Sequence, residues 1–250
     1  MAALSMTNLD FYEARCVLAA AFRLAYRHNW HEAVANHFSL AVSDDGKKFL
    51  INPSGIHFSR VKASDLVLCD ADDKAATFAQ DRAPDPTAWG IHSAFHRHSP
   101  RARACLHVHA DYATALACLQ DPHLPPIDQM TAKFYNRIGY DNGFGGMGFD
   151  NEGERIASTL GDHRILLMGN HGVTAVAETV ARAFDELYYF ERACALYIRT
   201  VSTGLPLNIM SDTIAESTAQ EWESYPDEPW QAHFDALRAI LDEEEPDYRG

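Results

Sequence analysis

Three histidines carry the strongest chemical signal in this chain. His107 and His109 flank a single valine at the end of an apolar run, and His171 stands in a Gly-Asn-His-Gly turn. Alternate residues of a β-strand share a face, so His107 and His109 present both imidazoles to one ion while Val108 packs behind them. The apolar run Ile165–Met168 reads as a second strand, after which Gly169 and Gly172 free the backbone to deliver His171. Three nitrogen ligands with no evident fourth describe a catalytic divalent-metal centre with an open position, zinc first, then manganese or ferrous iron. The alternative is a set of strand-end histidines hydrogen-bonded to nearby backbone.

Composition narrows the partners. The 250 residues, 47% hydrophobic, suffice for one large α/β core. Thirty-five acidic against 21 basic residues give a formal charge of −14, which argues against nucleic acid or an anionic membrane and for a small-molecule substrate. The five cysteines, Cys16, Cys69, Cys105, Cys118 and Cys194, form no CxxC pair and lie in apolar contexts. They read as buried free thiols in a reducing compartment. With no signal segment and no run of membrane-spanning length, the expected location is the cytoplasm.

The elements that position the ligands follow from local signals. Asn8 is a candidate cap for a long helix reaching about residue 28, with Leu9, Tyr12, Cys16, Ala19, Phe22 and Tyr26 on its apolar positions. Short strands at 38–42 and 48–51 flank Ser-Asp-Asp-Gly, a hairpin signal, and a third spans 66–69. Asp85-Pro86 starts a helix that Ser99-Pro100 stops. The His107–His109 strand follows at 104–109, and Asp111 can cap the alanine-rich helix after it. Pro122, Pro125 and Pro126 mark a loop, and Asp150 opens a helix toward Leu160. A long helix spans about 178–201 before Gly204-Leu-Pro206, and residues 230–241 have helical spacing. Hairpins first and helix-strand-helix later predict a mixed, largely antiparallel sheet covered by helices on both faces, a three-layer α/β/α sandwich. One domain over 1–250 is expected, with a core at about 9–205 and a helical extension at about 206–250.

Five signatures occur in order: Ala-Asn-His-Phe-Ser at 35–39, Asn-Pro-Ser-Gly at 52–55, Ile-His-Ser-Ala at 91–94, His-Val-His at 107–109 and Gly-Asn-His-Gly at 169–172. Together they resemble the class II aldolase/adducin family over roughly residues 9–205. The resemblance implies the same three-layer fold, a metal on His107, His109 and His171, and a homotetramer with sites near subunit boundaries. The departures matter as much. Where the family's sugar-phosphate aldolases carry a carboxylate as metal ligand or acid/base, this chain has Ala88, which can neither bind a metal nor move a proton. Their phosphate-binding asparagine is replaced by His37, their Thr-Gly by Ser54-Gly55, and a pair before the carboxylate by Pro86-Thr87. Ser54, Gly55 and Thr87 remain candidate substrate-binding residues. So does Gln129, which aligns with a tyrosine that in the aldolases reaches a neighbouring site.

If residues 86–98 are helical, His92 lies one turn beyond Ala88 on the same face and can take over its acid/base work, and His37 follows the substrate-binding turn. His96, a further turn along, reads as structural. Tyr135, with Lys133 and Tyr140 after the proline loop, is a third catalytic candidate because a tyrosine near a metal can donate a proton. The glycines at 143–148 lack dinucleotide-binding spacing. The leading expectation is a metal-dependent carbon–carbon lyase that stabilises an enolate from a small oxygenated acid or carbonyl compound. Decarboxylation, which needs no base to remove a hydroxyl proton, fits Ala88 better than sugar-phosphate cleavage. An adducin-like binding scaffold and a non-haem iron oxygenase are the alternatives.

Overall fold

The computed structural model describes residues 10–146, 152–226 and 228–250. Asn8, Leu9 and Asp150, expected to start helices, lie outside them. Most other boundaries have a visible local cause. The first helix, α1 (Tyr12–Arg27), begins after Phe11, a left-handed residue without a side-chain cap. The hairpin expected around Ser43–Gly46 forms between β1 (His37–Ala41) and β2 (Lys48–Ile51), and β3 (Val67–Asp70) follows. A short helix not anticipated from sequence, α2 (Lys74–Phe78), is capped by Asp73. Asp85 caps α3 (Pro86–His98) through the Thr87 amide, with proline in the first turn, and Ser99 ends it. Beyond β4 (Ala104–Val108), Ala110 rather than Asp111 occupies the cap of α4 (Asp111–Ala117), so Asp111 contributes its charge from inside the first turn.

The stretch after the prolines is more ordered than its composition suggests. It holds α5 (Gln129–Lys133), with an Asp128–Thr131 capping box, and β5 (Ile138–Asp141). After α6 (Glu152–Leu160) come β6 (Ile165–Met168) and β7 (Gly172–Ala177), the latter unrecognised in sequence because Gly172-Val-Thr-Ala merges with the long helix pattern. That helix, α7 (Val180–Val201), is capped by Thr179. The helical extension consists of α8 (Asp212–Ser224) and α9 (Glu228–Glu244), which pack on α5 and on α7 and α1. No helix among the described residues is long and apolar enough to cross a membrane. All five cysteines are free, but Cys118 is exposed at the end of α4, against the expectation that all are buried.

The strands form one sheet in the order β3-β2-β1-β4-β7-β6-β5, antiparallel except for the β5–β6 pair. Period-2 alternation divides β4 between two layers. Ala104, Leu106 and Val108 join the large core under α1, α4, α7 and α9, which includes Phe22, Phe184 and Phe190. Cys105 faces the opposite layer with Phe95 of α3 and Ile156 of α6. Register then sets the site: His37 lies opposite His107 across β1–β4, and Thr174 opposite His107 across β4–β7.

The α3 and α6 layer rests on a backbone approach that only glycine permits. A methyl at Gly153 would lie 2.4 Å from the Gly90 carbonyl oxygen, well inside contact distance. Gly153→Ala is therefore expected to lose about 1–3 kcal/mol of stability, the range for overpacking a tight contact. Urea unfolding checks this, and an unchanged midpoint would show that the two helices separate freely.

Candidate metal centre

β4 and the β6–β7 turn bring the three histidines together. The ring centroids of His107, His109 and His171 stand 4.9 to 5.0 Å apart in a nearly equilateral triangle. One ligand atom from each lies within 4.8 Å of the others. His171 is carried on a tight turn in which Asn170, not a glycine, takes the left-handed conformation (φ 56°). Gly172 serves close approach instead. A methyl there would sit 2.6 Å from the Val108 carbonyl and 2.7 Å from the His109 ring.

Hydrogen bonds decide which nitrogens are free. His107 Nδ1 lies 3.1 Å from the Val173 carbonyl, an acceptor only, so it carries the proton and Nε2 is bare. The Thr174 hydroxyl stands beside the same nitrogen at 3.2 Å. His109 Nδ1 is bonded to the Glu32 carboxylate, which likewise leaves His109 Nε2 bare. With both rings neutral the two Nε2 atoms face each other at 3.1 Å with no proton between them. Two lone pairs at that distance repel, and a cation between them converts the repulsion into ligation. The residues therefore fit a divalent metal ion, with the carboxylate–histidine support usual for ligating imidazoles. Sequence reasoning missed Glu32, which sits in the loop after α1 and has no spacing relation to the triad.

Behind the triad lies a buried polar column. The His37 ring stacks on His107 at 4.8 Å, and its Nδ1 meets His92 Nε2 at 2.7 Å. His92 Nδ1 contacts Ser39 Oγ, which also meets His96 Nε2 at 2.7 Å, and His96 Nδ1 reaches the Ala102 carbonyl at 2.7 Å. His92 is fully buried with both nitrogens engaged, so the direct acid/base role expected of it would require one of these bonds to open. The vacancy at Ala88 is filled by apolar packing with Phe49, Ile51 and Val67.

The other expected residues divide into two groups. The Ser54 amide donates to the Ala83 carbonyl, which sets Ser54 and Gly55 beside the segment carrying Asp85 and Thr87. Asp85 lies close enough to His37 for each to influence the other's ionisation. Through Asp85 this segment comes near His37. Gln129 and Tyr135 do not join this group within one chain. Gln129 lines a cavity of about 590 Å³ with Tyr189, Trp222 and Tyr225. Tyr135 is bonded to Asp212, and it precedes β5, whose parallel register with β6 puts it at the sheet end opposite His171. Lys133 is buried in an ion pair with Glu186 at 2.7 Å.

Removing one ligand or its support separates metal binding from packing. His109→Ala is expected to abolish stoichiometric metal in protein purified without chelator. Glu32→Gln is expected to weaken affinity by about 10–100-fold, the usual effect of losing a ligand's hydrogen-bond partner. Equal metal content in wild type and His109→Ala would reject the site.

Burial also makes the histidines an acid-sensitive element. It pushes His37 down to about 3 and His96 down to about 4, and drives His92 well below its ordinary range. Unfolded, each titrates near 6.5, so between pH 6.5 and 4 the unfolded chain binds protons that the folded one excludes. Their contribution is complete above pH 6.5 and lost as pH falls, by about 1.4 kcal/mol per pH unit per group. Glu191, lifted by burial to about 7, acts in the opposite sense and offsets one of them. With chelator present, His107 and His171, lowered by the same burial, add to the effect, and stability from urea unfolding is expected to fall by about 4–8 kcal/mol from pH 7.5 to 5. A flat profile would contradict the buried, neutral column.

Comparison with known proteins places this geometry. The model of the class II aldolase and adducin N-terminal domain matches residues 16–198. A Caulobacter vibrioides protein provisionally named an aldolase class 2 protein is 31% identical over 197 residues, covering 77% of this chain and 74% of its own length. Alpha-adducin of Rattus norvegicus is 30% identical over 78% of this chain but only 27% of its own length. The crystal structure of an aldolase II superfamily protein from Pseudomonas syringae superposes with a TM-score of 0.85 at 30% identity, covering 96% of both chains. A matching domain model, relatives over most of the chain and a solved structure with the same fold converge: the chain belongs to the class II aldolase and adducin N-terminal domain family.

Proposed function

We propose that this protein is a divalent-metal-dependent carbon–carbon lyase, with zinc the first candidate ion, acting on a small oxygenated acid or carbonyl compound. The observation that carries this reading is the pair of bare nitrogens on His107 and His109, 3.1 Å apart, with His171 closing the triangle. A binding scaffold has no need of such a pair. When bound, a divalent ion supplies positive charge where a substrate oxygen gains negative charge as the carbon–carbon bond breaks. The chain's own residues orient substrate and move protons. His37, flat against His107, is the group we assign to accept or return a proton through Nε2. Ser54 and Thr87 supply hydroxyls from the segments beside Asp85, which holds Thr87 in place through the cap of α3. With alanine at position 88 and histidine at position 37, the set favours decarboxylation, or aldol cleavage of a non-phosphorylated substrate.

The protein is proposed to work in the cytoplasm as a homotetramer with sites near subunit boundaries. Exposed Leu205, Ile209, Ile214 and Tyr225 support an assembly, since they cluster along one stretch of chain outside the core. Gln129 and Tyr135, remote from their own triad, are then candidates to serve a neighbour's site.

The test is a screen of hydroxy acids, aromatic ortho-hydroxy acids and ketose 1-phosphates for release of carbon dioxide or aldehyde. Turnover of a non-phosphorylated acid is expected, lost with chelator and restored by Zn²⁺ or Mn²⁺. His37→Gln is expected to lower kcat by about 10²–10³-fold with metal content unchanged. Efficient cleavage of a ketose 1-phosphate would overturn the substrate assignment, and turnover indifferent to chelator would overturn the mechanism.

A further inference from the structure

The Ala102 carbonyl gives the buried column a direction. His96 Nδ1 lies 2.7 Å from that oxygen, which only accepts, so Nδ1 holds the proton and His96 Nε2 is bare. Ser39 has one proton to give, and it goes to His96 Nε2 at 2.7 Å. Its oxygen is left to accept from His92 Nδ1. His92 Nε2 is consequently bare and accepts from His37 Nδ1 at 2.7 Å. The last nitrogen in the series, His37 Nε2, therefore has no proton. With neutral rings no other placement of protons satisfies all four contacts. Ser39 and His92 are 0% exposed, His96 4% and His37 6%, so water does not compete along the column. Among the described residues no protein group bonds His37 Nε2.

We infer that Ser39 and His96 are positioning residues that lock His37 in the tautomer with its proton on Nδ1, so that a bare Nε2 faces substrate. The catalytic meaning of the lock rests on His37 being the proton acceptor proposed above, whereas the tautomer itself does not. The alternative arrangement is one proton shift away. If Ser39 stopped fixing His92 Nδ1, His92 could hold its proton on Nε2 and donate to His37 Nδ1. His37 would then carry its own proton on Nε2 and could not accept one there. The serine hydroxyl, which touches neither triad nor substrate, thus decides whether the ring arrives as acceptor or donor. His96 in turn decides which way the hydroxyl points. The same logic fixes His107 through the Val173 carbonyl, so two stacked rings take their tautomers from separate main-chain oxygens, one on β7 and one in the turn before β4.

The test reads the tautomer directly. Zinc-loaded protein labelled with ¹⁵N-histidine is examined at pH 7.5 by long-range ¹H–¹⁵N correlation, which distinguishes N–H from bare nitrogens at each ring position; His37→Gln assigns the His37 signals. Wild type is expected to show the His37 proton on Nδ1. In Ser39→Ala the Nε2–H form of His37 should appear, with kcat reduced about tenfold or more and KM and zinc content unchanged. Ser39→Thr, which keeps the hydroxyl, should restore both signal and rate. His96→Phe, which releases the serine proton toward His92, should also populate the Nε2–H form. The inference falls if wild-type His37 carries its proton on Nε2, a result that needs no variant to fold, or if Ser39→Ala leaves the His37 signals in place. The expected tautomer in a protein without lyase turnover would remove the proposed reaction and leave the lock standing.

Discussion

The site is organised by one close pairing of imidazole nitrogens. His107 and His109 have their Nδ1 protons committed to a carbonyl and a carboxylate, and their remaining lone pairs are held 3.1 Å apart. The surrounding fold holds that proximity. Val108, fully buried between the two ligands, anchors the strand in the large core, and the Gly172 backbone presses against His109 from the next strand. Two neutral imidazoles so placed, with His171, suit a cation without a carboxylate in direct contact among the described residues. Their placement also explains why the supporting groups come from distant parts of the chain: any local partner would have to share the strand that carries the ligands.

The sheet is what makes these distant parts neighbours. β1, β4 and β7 lie side by side, so His37, His107 and Thr174 form one row across three strands. α3 then lays His92 and His96 one turn apart over that row, within reach of Ser39, two residues after His37 and hence on the same face. A one-residue slip in β1 would turn both His37 and Ser39 into the opposite layer. Asn52 guards against it, accepting from the Phe38 amide at 3.3 Å and donating to the Asn36 carbonyl at 3.2 Å.

Much of this was legible in the sequence, for identifiable reasons. His107, His109 and His171 could be grouped because strand alternation and a glycine-flanked turn are local signals. Asp85-Pro86 and the Ser43–Gly46 hairpin were readable for the same reason. Glu32 was not, because its bond to His109 spans 77 positions and depends on a loop conformation that includes left-handed Asn29 and Ala33. The partners of His92 were hidden too. Helical spacing correctly placed it one turn beyond Ala88, but which strand side chains lay beneath it followed from the β1–β4 register, and those side chains engage both its nitrogens. Strand β7 and helix α5 escaped because each adjoins a stronger pattern, the long helix in one case and the proline loop in the other.

The alanine at position 88 has a consequence for how ligands arrive. With three neutral imidazoles as ligands and an apolar cluster in the carboxylate's place, a bound divalent ion would keep most of its charge, tempered at one remove by Glu32 behind His109 and by Glu152 and Asp141 near His171. The protein around it carries a net charge of −14. The two fields differ in range. At physiological ionic strength the Debye length is about 8 Å, so the diffuse negative surface is largely screened from an approaching anion while attraction at contact survives. At low ionic strength an anionic substrate would be repelled at a distance and held only at contact, so added salt, by screening the outer field first, would speed its association, the reverse of ordinary electrostatic steering.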